Sequence, residues 1–142
     1  MKKIFLLLVF PLVYCCKTAP VSVQNYNKAM ISFGSGGGFT GARSEYILLD
    51  NGFLYENSKM STVPVEINHL DSKMTTQIFN NIHLLGLDTM KYNKPQNLYY
   101  FLKYKNGNDS NYICWGGKPQ GRLESAAAVY RQLQSQLKNL KK

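Results

Sequence analysis

Carboxylates, histidines and cysteines are all scarce in this sequence, and their scarcity removes most catalytic chemistries at the outset. Eight acidic residues stand against seventeen lysines and arginines, with two histidines and three cysteines in 142 residues. The acids, from Glu45 to Glu124, are scattered, and no two are spaced as a pair for general acid–base work. His69 and His83 do not stand at metal-ligand spacing, and with so few thiols no metal site and no cofactor are expected. His69 precedes Asp71 and Ser72 in a stretch that suits capping of a helix better than a catalytic triad. The cysteines Cys15, Cys16 and Cys114 cannot supply a disulfide framework, so the fold must rest on a hydrophobic core. Cys114 falls in an apolar strand-like run and reads as a buried thiol. A long hydrophobic span is missing too: the apolar run from Ile4 to Val13 is well short of the roughly 20 residues a membrane helix requires.

What that run does resemble is an export signal. Lys2 and Lys3 form a basic start, the apolar run follows, and Leu12-Val13-Tyr14-Cys15-Cys16 closes it. This closing stretch resembles the lipobox of bacterial lipoproteins, with Cys16 as the lipidated residue and small Cys15 before it. Taking Cys15 instead would put bulky Tyr14 in that place. The resemblance implies a signal peptide over residues 1–15, a lipidated cysteine and tether over 16–28, and one globular domain over 29–142. It also implies a lipid-anchored, palmitate-type membrane attachment in the cell envelope. Lys17-Thr18-Ala19-Pro20 carries no acidic surface-export signal, which points to the outer membrane facing the periplasm. The formal charge of +9 falls to about +7 without Lys2 and Lys3. For an exported protein that excess suits anionic lipid, cell-wall polymer or an acidic protein better than nucleic acid.

Within the domain, Ala29 to Phe33 and Ser44 to Leu49 read as strands, and Asp50-Asn51-Gly52 is a tight-turn signal leading into Phe53-Leu54-Tyr55. A short strand is suggested over Val63 to Ile67, interrupted by Pro64. Met74, Ile78, Ile82 and Leu85 recur at helical spacing, with Asp71 or Ser72 as cap and Gly86 as stop. Asn97 to Tyr104 and Asn111 to Trp115 form a hairpin around Asn106-Gly107, the first rich enough in aromatics to be covered on both faces. A last amphipathic helix carries Leu123, Ala126, Tyr130, Leu133, Leu137 and Leu140. The sum is an α+β fold, β-β-β-α-β-β-α, with a mainly antiparallel sheet of about four to five strands under two helices.

Gly34-Ser35-Gly36-Gly37-Gly38-Phe39-Thr40-Gly41 is the one compositionally unusual stretch. Gly36-x-Gly38-x-x-Gly41 has the letters of a dinucleotide fingerprint, but a strand rather than a helix follows, and no phosphate-loop lysine stands after it. Two uses are left. The glycines either shape a bulged hairpin in which Phe39 folds back onto the core, or they let a partner approach the backbone closely. Interleaved Tyr and Lys from Tyr99 to Lys105 read as a sheet face with lysines at its wet edge rather than a nucleic-acid platform. Trp115 reads as a lid over the core.

Gly37, Gly38, Phe39 and Gly41, the pattern around Tyr99 to Lys105 and the final helix with Leu133 and Leu137 together resemble emfourin-like proteins. These are small bacterial inhibitors of thermolysin-type metalloproteases, and order and spacing agree over most of residues 29–140. The resemblance implies a non-catalytic domain that binds an envelope protein such as a protease. Gly36, Gly37, Gly38, Phe39, Thr40 and Gly41 are then the candidate contact residues, because glycine backbone can lie against an extended groove without side-chain clash. The competing expectation is a structural envelope lipoprotein that uses its basic surface alone.

Overall fold

A computed structural model describes residues 22–58 and 60–139. The expected signal peptide, Cys15, Cys16 and the last helical leucine, Leu140, lie outside them. After a short 3-10 turn (Val23–Asn25) come β1 (Met30–Gly37), β2 (Ala42–Leu49), β3 (Phe53–Glu56) and β4 (Val65–His69). Then follow α1 (Ser72–Leu84), β5 (Tyr92–Lys94), β6 (Leu98–Asn106), β7 (Asp109–Gly116) and α2 (Leu123–Asn139). One mixed sheet contains all seven strands in the order β4-β3-β2-β1-β6-β7-β5. Every pairing is antiparallel except β5 with β7, which is parallel.

The α+β class stands, but the expected sheet of four to five mainly antiparallel strands does not. β4 forms in full because Pro64 lies just outside it, where no ladder hydrogen bond is required of it. β5 is only Tyr92-Asn93-Lys94, too short and too polar to show an alternating pattern. A buried side chain puts it in place. Asn111 of β7 is 4% exposed, and its amide donates to the carbonyls of Leu87 at 2.7 Å and Met90 at 2.9 Å. Those bonds hold the loop after α1 so that Tyr92 arrives opposite Ile113.

Local chemistry sets the other boundaries. Asp71 caps α1 by accepting from the Met74 N–H at 2.9 Å. The helix ends at Gly86 in the left-handed region (φ 62°), with Gly86 N–H bonded to His83 O and Leu87 N–H to Ile82 O. That double closure satisfies carbonyls the helix would leave open, and buried Leu87 seals it apolarly. Gly52 (φ 94°) and Gly107 (φ 57°) make the β2–β3 and β6–β7 turns.

Both helices cover the same face of the sheet. Ile31, Phe33, Leu48, Leu54, Leu102, Ile113 and Trp115 meet Ile78, Ile82, Ala126 and Leu133 in a single core. On the opposite face a smaller cluster of Met30, Ile47, Leu49 and Tyr55 is covered by Val23, Tyr26 and Phe53. Thus residues 23–26, within the stretch expected to tether, lie on the sheet, and the Tyr26 hydroxyl donates to Asp50. Both edges are blunted: β5 is followed by Pro95 and carries Lys94, and β4 is preceded by Pro64, carries Glu66 and pairs with β3 through a register shift.

Candidate functional site

The glycine-rich stretch is mostly strand. β1 continues through Gly34, Gly36 and Gly37, which pair with Phe101, Tyr99 and Leu98 of β6. A β-carbon at Gly34 would meet the Ser44 carbonyl oxygen at 2.0 Å and the Phe101 ring at 2.9 Å. At Gly37 the backbone is left-handed (φ 95°), and a β-carbon would come within 1.9 Å of the Asn97 carbonyl oxygen. Glycine is therefore required for strand packing on this stem. The next N–H, that of Gly38, donates to Asn97 O at 2.7 Å and ties the hairpin to the start of β6.

Only four residues form the tip. Gly41 N–H returns to Gly38 O at 3.1 Å, and Phe39 and Thr40 lie between them with negative φ. Phe39 does not fold back onto the core: its relative exposure is 107%, that of a side chain free on all sides. The six residues singled out from sequence thus divide into a rigid stem (Gly36, Gly37) and a tip (Gly38, Phe39, Thr40, Gly41).

Sequence reasoning passed over a second exposed group. The loop after β3 leaves the sheet toward the hairpin end, tied there by Asn57, whose backbone N–H and side-chain amide both bond to Glu45. It carries Met60, 99% exposed, with Val63 and Val65 beyond it. Leu98, at the start of β6, is 61% exposed and neighbours Gly38. One end of the sheet therefore concentrates large apolar side chains in water. Exposed Met in a short loop has no periodicity, so no pattern in the sequence marks it.

On the face away from the helices, Phe101 is buried beneath the Arg43 guanidinium (4.7 Å from the ring centroid) and beside Tyr112 (6.0 Å). Arg43 is also 3.5 Å from Glu45. Cys114 is a free, buried thiol next to this cluster. Burial and then the Cys114 side chain push the Tyr112 hydroxyl up to about 12.

The most organised polar chain is at the opposite end. His83 Nδ1 is hydrogen-bonded to Asp88 Oδ2 at 2.9 Å, and its Nε2 lies 3.2 Å from the Tyr104 hydroxyl. A cleft of about 630 Å³ lined by Lys28, Asp50, His83 and Tyr104 opens beside it. Tyr104 is 8% exposed, and burial raises its hydroxyl above the ordinary tyrosine value, so it holds its proton and is no nucleophile. The chain pins the loop after α1. His69 does similar work, with Nε2 at 3.0 Å from Asn51 O and its ring 4.5 Å from Phe53. Among the described residues no group of three His, Cys, Asp or Glu side chains could hold a metal ion. No helix among them is long and apolar enough to cross a membrane. Trp115, at 2% exposure, is part of the core.

No protein-family model matches the chain, and no curated protein matches it.

Proposed function

We propose that this chain is a membrane-anchored envelope lipoprotein whose domain is a non-catalytic protein-binding module, and that its partner is a protease it inhibits. The observation that carries this reading is Phe39, an aromatic ring fully in water at the tip of a hairpin whose stem glycines are paired and closely packed against β6. Burying so exposed a ring releases on the order of 25 cal/mol per Å². Met60, Val63 and Leu98 at the same end extend the contact. The emfourin-like motif Gly37-Gly38-Phe39-x-Gly41 and the lipobox-like Cys16 supply the rest of the reading.

The test is capture from solubilised envelope by the full chain and by its Phe39→Ala form, with the bound proteins identified by mass spectrometry. A protease held only by the unmodified chain, and losing activity when the chain is added, is the expected result. Identical capture by both forms overturns it. Anchoring is tested separately: Cys16→Ser should abolish incorporation of labelled palmitate.

A second reading is a structural lipoprotein that binds anionic lipid or cell-wall polymer. It is favoured by one observation: among the described residues only Arg43, of the lysines and arginines, is in an ion pair. Binding of that kind weakens with salt over the physiological range, whereas burial of Phe39 does not.

A further inference from the structure

Tyr100, Trp115 and Tyr130 form a three-ring cluster where the end of the sheet meets the first half of α2. The ring centroids are 5.9 Å (Tyr100 to Trp115), 5.4 Å (Tyr100 to Tyr130) and 5.6 Å (Trp115 to Tyr130) apart. The rings do not close over one another. They wall a cleft of about 360 Å³, completed by Pro119, Ala127 and Arg131. Trp115 and Tyr130 are buried against the core, while Tyr100 is 38% exposed and forms the outer wall. Gln134 donates to the Tyr130 hydroxyl at 3.0 Å, which fixes that ring in place. The apolar part is thus formed before any ligand arrives.

Arg131 supplies the charge. Arg131 lines the cleft, is exposed, and has no ion-pair or hydrogen-bond partner among the described residues. From Gly117 to Arg131 the sequence holds Lys118, Arg122 and Arg131 against Glu124 alone. The volume lies at the small end of ligand sites, about 300–1,000 Å³, which is room for one large side chain and a carboxylate but not for a long acyl chain. A second depression of about 460 Å³ continues past Tyr100 and is lined by Gln96, Asn97 and Leu98. Amides along that path can bond peptide groups, which hydrocarbon does not need.

We propose that the cleft binds the free C-terminus of a peptide ending in a large apolar residue. The last side chain fills the Tyr100–Trp115–Tyr130 cleft, and its carboxylate pairs with Arg131, a two-pronged geometry that guanidinium and carboxylate favour. The preceding residues run over Tyr100 along Gln96 and Asn97. The cleft itself shares no residue with the Phe39 tip; only the continuation of the path reaches Leu98 beside it.

Trp115 is the only tryptophan in the chain and reports from inside the cleft. Its fluorescence should change saturably when the full chain is titrated with acetyl-Ala-Ala-Phe bearing a free carboxylate. The C-terminal amide of the same peptide should bind about tenfold more weakly, and Arg131→Gln should remove that difference. Phe39→Ala should leave the titration unchanged. Equal binding of acid and amide, tighter binding of decanoate than of the peptide, or no saturable change with the free acid overturns the assignment.

Discussion

The phenol of Tyr99 lies across Gly36 of the neighbouring strand, so close that a β-carbon on Gly36 would stand 2.5 Å from its oxygen. Tyr99 is half-exposed and can swing outward, whereas the group facing Gly34 is the backbone carbonyl of Ser44 and cannot. Gly34→Ala should therefore destabilise the fold by about 3 kcal/mol, and Gly36→Ala by about 1 kcal/mol or less. Urea unfolding midpoints decide it; equal losses would mean that Tyr99 is as fixed as the backbone.

Phe39 and Gly41 separate binding from stability. Phe39 touches nothing that folding requires, so Phe39→Ser should change unfolding free energy by less than about 0.5 kcal/mol while removing partner capture. Gly41→Ala meets no atom within 4 Å but must adopt φ 59°, which costs about 1–2 kcal/mol. Thermal unfolding of the two variants measures the contrast.

Asn111→Leu should be among the costliest changes in the molecule. It leaves the Leu87 and Met90 carbonyls without their donor, a loss of about 1–3 kcal/mol for each buried group. Hydrogen exchange should quicken first in β5, whose approach to β7 those bonds secure.

Alkaline pH should unfold the protein earlier than free tyrosine chemistry predicts. Burial raises the hydroxyls of Tyr46, Tyr104 and Tyr130, and Tyr112 is pushed up to about 12. The unfolded chain releases these protons near pH 10, roughly, while the folded one retains them. Stability from this source is complete below that pH and is lost as pH rises toward the folded values. The thermal unfolding midpoint should fall as pH rises from about 10 to about 12, less so in Tyr112→Phe, and the phenolate absorbance of the folded chain should lag that of the unfolded one.

Elements stabilised by neighbours in sequence were the legible ones. Asp71, Gly52, Gly86 and Gly107 act within a few residues of themselves, and the turns and helix ends they mark are where the sequence puts them. β5 was illegible because its cause, Asn111, lies seventeen residues beyond its last residue and acts through a loop. The length of β1 was missed for a related reason. Glycine is poor in isolated strands, and only the rings of Tyr99 and Phe101 across the sheet make Gly34 and Gly36 good strand residues. The tip residues Phe39 and Thr40 were found from composition alone. Met60, and the way Tyr100, Trp115 and Tyr130 converge from two strands and a helix, required the fold.

The two rims of the sheet limit how copies of this protein can join. At β4 the charge of Glu66, the preceding Pro64 and the register shift against β3 deter the addition of a strand from another molecule. At β5 the short strand, Lys94 and Pro95 blunt the same reaction. With both rims blunted, neither edge readily templates a strand from another copy, and the sheet ends with one chain's own strands.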